Sequence, residues 1–169
     1  MSRKLITYPN PVLLQPARPV EQIDDFIHLL VEDMTRLMYE NRGIGLAAPQ
    51  VGESLRVVTV DLSGPDNQEE LTVYINPEII HTEGEITSEE GCLSVMGYQS
   101  RVSRFEKIKI RARNLEGQEV VQEGEGLWAI CMQHEIDHLN GKLFIDHVSR
   151  LKRAIYEKKL SKWLDPKKE

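Results

Sequence analysis

The segment QHEIDH (Gln133 to His138) carries the residue types of this chain that could do chemistry. It contains an HExxH pattern, and histidines four positions apart lie on one face of an α-helix, where both imidazoles can bind one metal ion. Glu135 would project beside that ion and could take a proton from metal-bound water. The pattern therefore indicates a metal-dependent hydrolytic site that still lacks a third protein ligand. Two exposed polar residues on a helix face are the alternative.

The third ligand decides the class of site. One large group of zinc peptidases adds a third histidine six residues after the second, but Phe144 stands there and His147 lies three residues further on. A second group uses a glutamate from a later helix, for which Glu157, in the lysine-rich segment YEKKLSK, is the candidate. A zinc endopeptidase is therefore an alternative that these residues disfavour.

The two cysteines are the remaining candidates. Cys131 shares a helix face with both histidines but lies roughly 7.5 Å along the axis from the level of the metal, at about 1.5 Å of rise per residue. A short side chain that leans toward the helix N-terminus does not close that distance, so we expect Cys131 to be a soft wall of the same cavity. Cys92, in the turn-like EEGCLSVMG, is either brought to the metal by the fold or is a buried inert thiol.

Periodicity predicts the elements that must position these residues. Apolar residues at spacings of three and four indicate amphipathic helices, and β-branched or alternating segments indicate strands. Strands in the middle of the chain with helices at its ends predict an α+β fold. We expect a compact single domain over 1–169, with a mainly antiparallel sheet packed around a central metal-binding helix. The predicted strands are 55–62, 72–80, 107–114 and EVVQE, and the predicted helices are about 23–41, 126–140 and 149–163.

Composition and charge exclude several classes of protein. With 40% apolar and 28% charged residues, the chain of 169 residues is typical of a globular protein, and no apolar run is long enough for a membrane span. The absence of an apolar signal segment and the presence of only two cysteines predict a reducing, cytoplasmic location. A net charge of −6 argues against general or sequence-specific nucleic-acid binding.

The C-terminal segment 149–169, a predicted basic helix and tail, departs from this acidic balance. From Arg150 to Glu169 eight Lys and Arg stand against three Asp and Glu. Such a segment is either a solvated helix end or a docking element for an anionic partner.

Three motifs in this order resemble the peptide deformylase family: GIGLAAPQ (Gly43 to Gln50), EGCLS (Glu90 to Ser94) and QHEIDH. The resemblance covers nearly the whole chain. It implies hydrolysis of a linear amide bond, with removal of the formyl group from N-formylmethionine at the start of new bacterial or organellar polypeptides and release of formate.

The same resemblance implies the roles of individual residues. Metal-bound water would attack the formyl carbon, with Glu135 as general base and then as general acid to the leaving amine. The side-chain amide of Gln50 and the backbone N–H of Leu93 would stabilise the oxyanion. The implied metal ligands are Cys92, His134 and His138. The residues implied for binding the peptide and its methionine side chain are Gly43, Ile44, Gly45, Leu127, Ile130 and Cys131.

The resemblance also bears on the metal, the partners and the departures from the family pattern. It implies Fe²⁺, with Zn²⁺, Ni²⁺ or Co²⁺ as substitutes, although two imidazoles and a thiolate suit zinc at least as well. Some bacterial members dock on the ribosome through the matching basic helix. Met96 replaces the usual proline, and the segment VMGYQSRVSR differs from the usual family pattern near the expected path of the substrate. Arg101 or Arg104 could meet a peptide carboxylate or pair with Glu90, and the resemblance favours Arg104 for that pairing. A binding protein that has lost catalysis is the remaining alternative, disfavoured because the general base Glu135 is present.

Overall fold

A computed structural model describes residues 2–165 of the chain. These residues form two antiparallel sheets. Five strands pair in the order β1-β2-β3-β6-β7, and β4 and β5 form a separate hairpin. This arrangement confirms the predicted α+β class with mainly antiparallel pairing. The strands are β1 (Gly45–Ala47), β2 (Val57–Val60), β3 (Thr72–Glu83), β4 (Ile86–Cys92), β5 (Val95–Arg104), β6 (Lys107–Arg113) and β7 (Glu119–Glu125).

Within residues 2–165, three α-helices flank the sheets close to the positions predicted from periodicity. The N-cap Asp24 accepts a hydrogen bond from the backbone N–H of Ile27 at the start of the first helix, which satisfies one of its free donors. The side chain of Ser149 accepts a hydrogen bond from the backbone N–H of Lys152 at the start of the last helix. The helices are α1 (Asp25–Glu40), α2 (Gly126–Leu139) and α3 (Arg150–Leu164), and short 3-10 helices lie at Pro11–Leu14, Ala48–Val51 and Phe144–His147.

The five-stranded sheet is covered on both faces. Successive strand residues point to opposite faces, and in β2 Val57 belongs to a buried cluster with α1 whereas Val58 belongs to a cluster with α2. All four residues of β2 are buried for this reason. The sheet is thereby a rigid support for α2, which carries the HExxH pattern.

The hairpin of β4 and β5 was not predicted from the sequence. Gly91 and Gly97 interrupt the apolar alternation there, and only one face of β5 is buried. That face joins a third apolar cluster, which α3 contributes to through Tyr156 and Leu160. The hairpin therefore depends on α3 and on its neighbours for burial rather than on the larger sheet.

The basic C-terminal segment is only partly described. The helix α3 covers most of it, and residues 166–169 of the predicted basic tail lie outside the described residues. Within the described chain, no helix combines the length and apolar character that a bilayer crossing demands.

Candidate active site

A cleft of about 740 Å³ separates α2 from the β4–β5 hairpin. The helix side of the cleft includes His134 and Glu135, and the hairpin side includes residues around Met96. The segment between α1 and β1 closes one side. The structure places in its lining all six residues expected to bind substrate, namely Gly43, Ile44, Gly45, Leu127, Ile130 and Cys131.

Three candidate ligand atoms converge at the helical end of this cleft. Nε2 of His138 lies 3.3 Å from Nε2 of His134 and 3.4 Å from Sγ of Cys92. Two nitrogens and a sulfur bound to one tetrahedral ion stand roughly 3.3–3.6 Å apart, given metal–N bonds near 2.1 Å and metal–S bonds near 2.3 Å. These three residues therefore fit a single metal ion, and no other group of this kind was found among residues 2–165.

Cys92 reaches the histidines because of the hairpin geometry. It is the last residue of β4, next to a register shift between Gly91 and Cys92 that re-aims the strand end. Its sulfur is approached by the backbone N–H of Ser94 at 3.4 Å and by Nε2 of Gln50 at 3.6 Å. The thiolate is the form of a cysteine that binds metal.

Glu135 is buried beside the three ligand residues. It is 4% exposed, and burial raises the pKa of its carboxyl to about 7. A Cβ atom at Gly45 would lie 2.9 Å from Oε1 of Glu135 and 2.7 Å from Sγ of Cys131, so the chain passes there only as glycine. Oε2 of Glu135 has no hydrogen-bond partner among the described residues. An acceptor buried without a partner is typical of a group that serves a bound water or substrate.

His134 is held by a chain of charged residues that runs to the surface. Its Nδ1 lies 3.0 Å from Oε1 of Glu90, which leaves Nε2 to face the cleft. Glu90 forms a two-pronged ion pair with Arg104, the pairing that the family resemblance favoured, and Arg104 also donates to Asp137 at 2.6 Å. Burial opposes ionisation of Glu90, but hydrogen bonds from Arg104 and His134 outweigh it and lower its pKa to about 2. His147 completes the chain at 2.8 Å from Asp137.

Replacing Arg104 by methionine is expected to reduce the free energy of unfolding by about 3–5 kcal/mol, because the buried carboxylate of Glu90 and the half-buried carboxylate of Asp137 lose their cation. The matched control is Arg101→Met, three residues along the same strand and exposed, which should change stability by no more than about 0.5 kcal/mol. Chemical denaturation of the metal-free proteins measures both values. Equal losses in the two variants would contradict a structural role for the ion pair.

Gln50 is fixed by hydrogen bonds at both ends of its side-chain amide. The 3-10 helix after β1 places it, and it is 1% exposed. Its Oε1 accepts from the backbone N–H of Ala47 at 2.9 Å, so Nε2 must point toward Ser94 and Cys92. The amide donor is thus oriented toward the ligand atoms before any substrate binds.

Asp61, the buried acidic residue that follows β2, supports the segment before β1 at Ile44. The backbone N–H of Asp61 donates to the carbonyl of Ile44, and its side chain accepts hydrogen bonds from Ser63 and from the Tyr39 hydroxyl at 2.5 Å. Burial opposes ionisation of Asp61, yet these hydrogen bonds hold its pKa below the ordinary value. Burial and the bond to Asp61 raise the pKa of Tyr39 to about 12, so the phenol remains a donor.

Tyr39→Phe is expected to lower the free energy of unfolding by about 1.5–3 kcal/mol at pH 7, since it removes a hydrogen bond to a charged group. The folded-state pKa of Asp61 is depressed, so its stabilisation is complete above the unfolded pKa of roughly 3.9 and fades as the pH falls below it. The difference in the free energy of unfolding between the parent protein and Tyr39→Phe should therefore shrink below about pH 4. Urea denaturation at pH 7 and pH 3.5 measures it.

The matched control for this pH dependence is Tyr74→Phe. Tyr74 is buried and its hydroxyl bonds to Gln122 and Trp128, which are both uncharged. The decrease in the free energy of unfolding caused by Tyr74→Phe should be the same at both pH values. A pH-independent loss for Tyr39→Phe as well would show that Asp61 is not the partner that matters.

The other positions considered for a third metal ligand are not part of the ligand group. Glu157 accepts hydrogen bonds from Tyr8 and Arg153 instead of facing the histidines. Phe144, at the position of a third histidine, is buried with its ring stacked 6.2 Å from that of His134. Cys131 is buried in the cleft wall, where burial raises the pKa of its thiol.

Sequence reasoning missed several residues that shape the site. Asp137, near the end of α2, contacts His147, ten positions later in a 3-10 helix. No local sequence pattern indicates this contact. Ser94, which fixes Gln50, lies inside the EGCLS motif and could have been singled out there. Tyr98 and Gln99 line the hairpin side of the cleft. They belong to the segment VMGYQSRVSR, which differs from the family pattern.

Comparisons with known proteins agree on one family. The sequence profile of polypeptide deformylase matches residues 2–154. A curated peptide deformylase from Acidobacterium capsulatum is 49% identical over 162 residues, covering 96% of this chain and 95% of that protein. A peptide deformylase structure from Legionella pneumophila matches with a TM-score of 0.91 and 44% identity over 100% of both chains. Another, from Synechococcus elongatus in complex with actinonin, matches with a TM-score of 0.88 and 38% identity over 94% of this chain and 88% of that one.

The fold, the cleft and these matches define the class: the protein is an enzyme, a hydrolase. The chain belongs to the polypeptide deformylase family, as its three motifs predicted. That family is metal-dependent, and Cys92, His134 and His138 are the described residues that could hold the ion.

Proposed function

We propose that this enzyme hydrolyses the formyl amide at the N-terminus of N-formylmethionyl nascent polypeptides and releases formate. The observation that supports this most is the unpartnered Oε2 of Glu135, buried beside the Cys92, His134 and His138 group at the closed end of a peptide-sized cleft. A general base and a metal site in one cleft are what amide hydrolysis requires.

The three ligand residues would hold one divalent ion, for which we propose Fe²⁺, with Zn²⁺, Ni²⁺ or Co²⁺ as substitutes. When bound, such an ion supplies a water of lowered pKa and polarises the formyl oxygen. Glu90 orients His134 through Nδ1. Burial lowers the pKa of His138 well below its ordinary value, so its ring stays neutral and offers a lone pair.

Glu135 is proposed to move the proton. Its pKa of about 7 suits a group that accepts a proton from the attacking water and then gives it to the amine nitrogen as the C–N bond breaks. The carboxylate lies against the backbone of Gly45, one of the residues that line the cleft.

Gln50 and Leu93 are proposed to stabilise negative charge on the formyl oxygen. The amide of Gln50 is already oriented toward the ligand atoms, and Leu93 lies in the tight turn between β4 and β5 that lines the cleft. Donors fixed before the reaction need no reorganisation as charge develops, and loss of one typically costs ~10²–10³ in rate.

The peptide and its methionine side chain are proposed to bind along the apolar part of the cleft. Gly43 and Gly45 present backbone to the cleft. The space that their side chains would take is filled by Leu93 at Gly43 and by Cys131 and Glu135 at Gly45. Side chains that can wall an apolar pocket are Ile44, Leu127, Ile130 and Cys131.

The test is formate release from formyl-Met-Ala-Ser by protein loaded anaerobically with ferrous iron, with casein as an unformylated substrate. We expect formate and no casein cleavage, and inhibition by actinonin, the compound present in the Synechococcus elongatus complex. Casein cleavage without formate would favour an endopeptidase, and neither activity in folded, metal-loaded protein would favour a binding protein. Exposure to air should reduce the iron-dependent rate, because ferrous iron and its thiolate ligand both oxidise.

We further propose that the enzyme acts in the cytoplasm as a single domain and docks on the ribosome through α3. The exposed lysines Lys158 and Lys159 of that helix are available to RNA phosphates.

The double variant Lys158→Glu/Lys159→Glu should co-sediment with bacterial ribosomes several-fold less well at low salt, because phosphate contacts are electrostatic. The control Lys4→Glu/Arg113→Glu changes the net charge equally, at exposed positions outside α3. Equal loss in both double variants would show a net-charge effect rather than a docking surface.

A further inference from the structure

We infer that α3 positions the hairpin wall of the cleft, through Tyr156 and Trp163, and so sets the affinity for the residues that follow formylmethionine. This inference rests on the proposed function. It concerns the hairpin segment 95–99, which lines the cleft and contains none of the three candidate metal ligands.

The hairpin needs support from outside its own sheet. It is a two-stranded unit with no strand partner in the five-stranded sheet, and an isolated two-stranded hairpin is at best marginally stable. Its outer strand β5 carries Met96, Tyr98 and Gln99 along the cleft. The position of these residues therefore depends on what packs behind them.

Behind the hairpin lies α3. The hydroxyl of Tyr156 donates to the carbonyl oxygen of Met96 at 3.0 Å, and Tyr156 is 1% exposed. At Gly97, with φ of +69°, a Cβ atom would lie 2.8 Å from Cη2 of Trp163, so the indole lies directly on the backbone. A hydrogen bond and a ring contact thus fix two successive backbone positions of the cleft wall.

Aromatic rings extend this support toward the metal end. The ring of Tyr98 lies 4.9 Å from that of Tyr156 and 5.8 Å from that of Phe144. Phe144 in turn stacks on His134. The hairpin residues Glu90 and Arg104 are tied directly to α2, Glu90 through His134 and Arg104 through Asp137. Loss of one α3 contact should therefore be felt at segment 95–99 and not at the metal.

The experiment compares two substrates in iron-loaded full-length enzyme: an N-formylmethionine amide, which has no residue after formylmethionine, and formyl-Met-Ala-Ser, which has two. We expect Tyr156→Phe and Trp163→Ala to raise KM for the longer peptide about three- to tenfold, the range set by loss of one hydrogen bond or ring contact, with kcat within about twofold. KM for the short substrate and the iron content should not change.

Two features of the design keep the inference testable. Tyr156→Phe retains the ring and removes only the hydroxyl, so it preserves packing. The control Leu151→Ala alters an apolar residue of the same helix that is 71% exposed, and it should leave both substrates unaffected.

Equal changes for both substrates would overturn the inference, because they would show that α3 acts through general stability. An unchanged KM for the longer peptide in both variants would overturn it as well. Failure of the proposed function would look different, as no formate would be released from either substrate by the unsubstituted enzyme.

Discussion

The Glu135→Gln variant is expected to bind metal normally and to release formate from N-formylmethionyl peptides roughly 10²–10⁴ times more slowly than the unsubstituted enzyme. The amide matches the carboxylate in shape but cannot accept the proton of the attacking water. The site accommodates a neutral group, since Glu135 is 4% exposed and its Oε2 has no partner among the described residues. We therefore expect the variant to be at least as stable as the parent enzyme when metal-free.

Two readouts distinguish this result from simple damage. The metal content and the denaturation midpoint of Glu135→Gln should match those of the parent, so the loss appears in kcat. Glu135→Asp, which keeps the carboxylate on a shorter side chain, should recover part of the rate. Full activity in the glutamine variant would exclude Glu135 as the proton carrier.

Cys92→Ala is expected to lose most of its bound metal, and with it turnover. The sulfur is one of only three ligand atoms in the group, 3.4 Å from Nε2 of His138. Loss of a residue that merely orients a ligand costs roughly 10–100-fold in metal affinity, and loss of a ligand should exceed that. Metal per protein chain, measured by elemental analysis after dialysis, reports the result without reference to activity.

The chain contains its own control in the second free cysteine. Cys131 lies in the same cleft but is not part of the ligand group. Cys131→Ala should therefore retain the metal of the parent protein. Retention by Cys92→Ala together with loss from Cys131→Ala would reverse the assignment of the two thiols.

Local spacing explains why part of the site was predictable. His134 and His138 are one helical turn apart, so any helix there must bring them together, and the periodic segments around them made the helices and most strands predictable. The axial distance along α2 placed Cys131 away from the metal, and the structure puts it in the cleft wall.

Tertiary contacts explain why the rest was not. Cys92 reaches the histidines, 46 residues from His138, only through the β4–β5 hairpin, a segment without a clear alternating pattern. Arg104 and Asp137 are 33 residues apart, and nothing in either segment marks their contact. Spacing alone therefore left Cys92 open between ligand and inert thiol, and only the resemblance to a family favoured the ligand.

The central claim is that one cleft carries both the metal and the proton carrier. It is tested most directly by anomalous diffraction at the iron edge from anaerobically grown crystals of the ferrous enzyme. The account predicts one peak among Sγ of Cys92, Nε2 of His134 and Nε2 of His138, with the carboxylate of Glu135 beside it. A peak at any other position in active protein, or fully active crystals without bound metal, would contradict it.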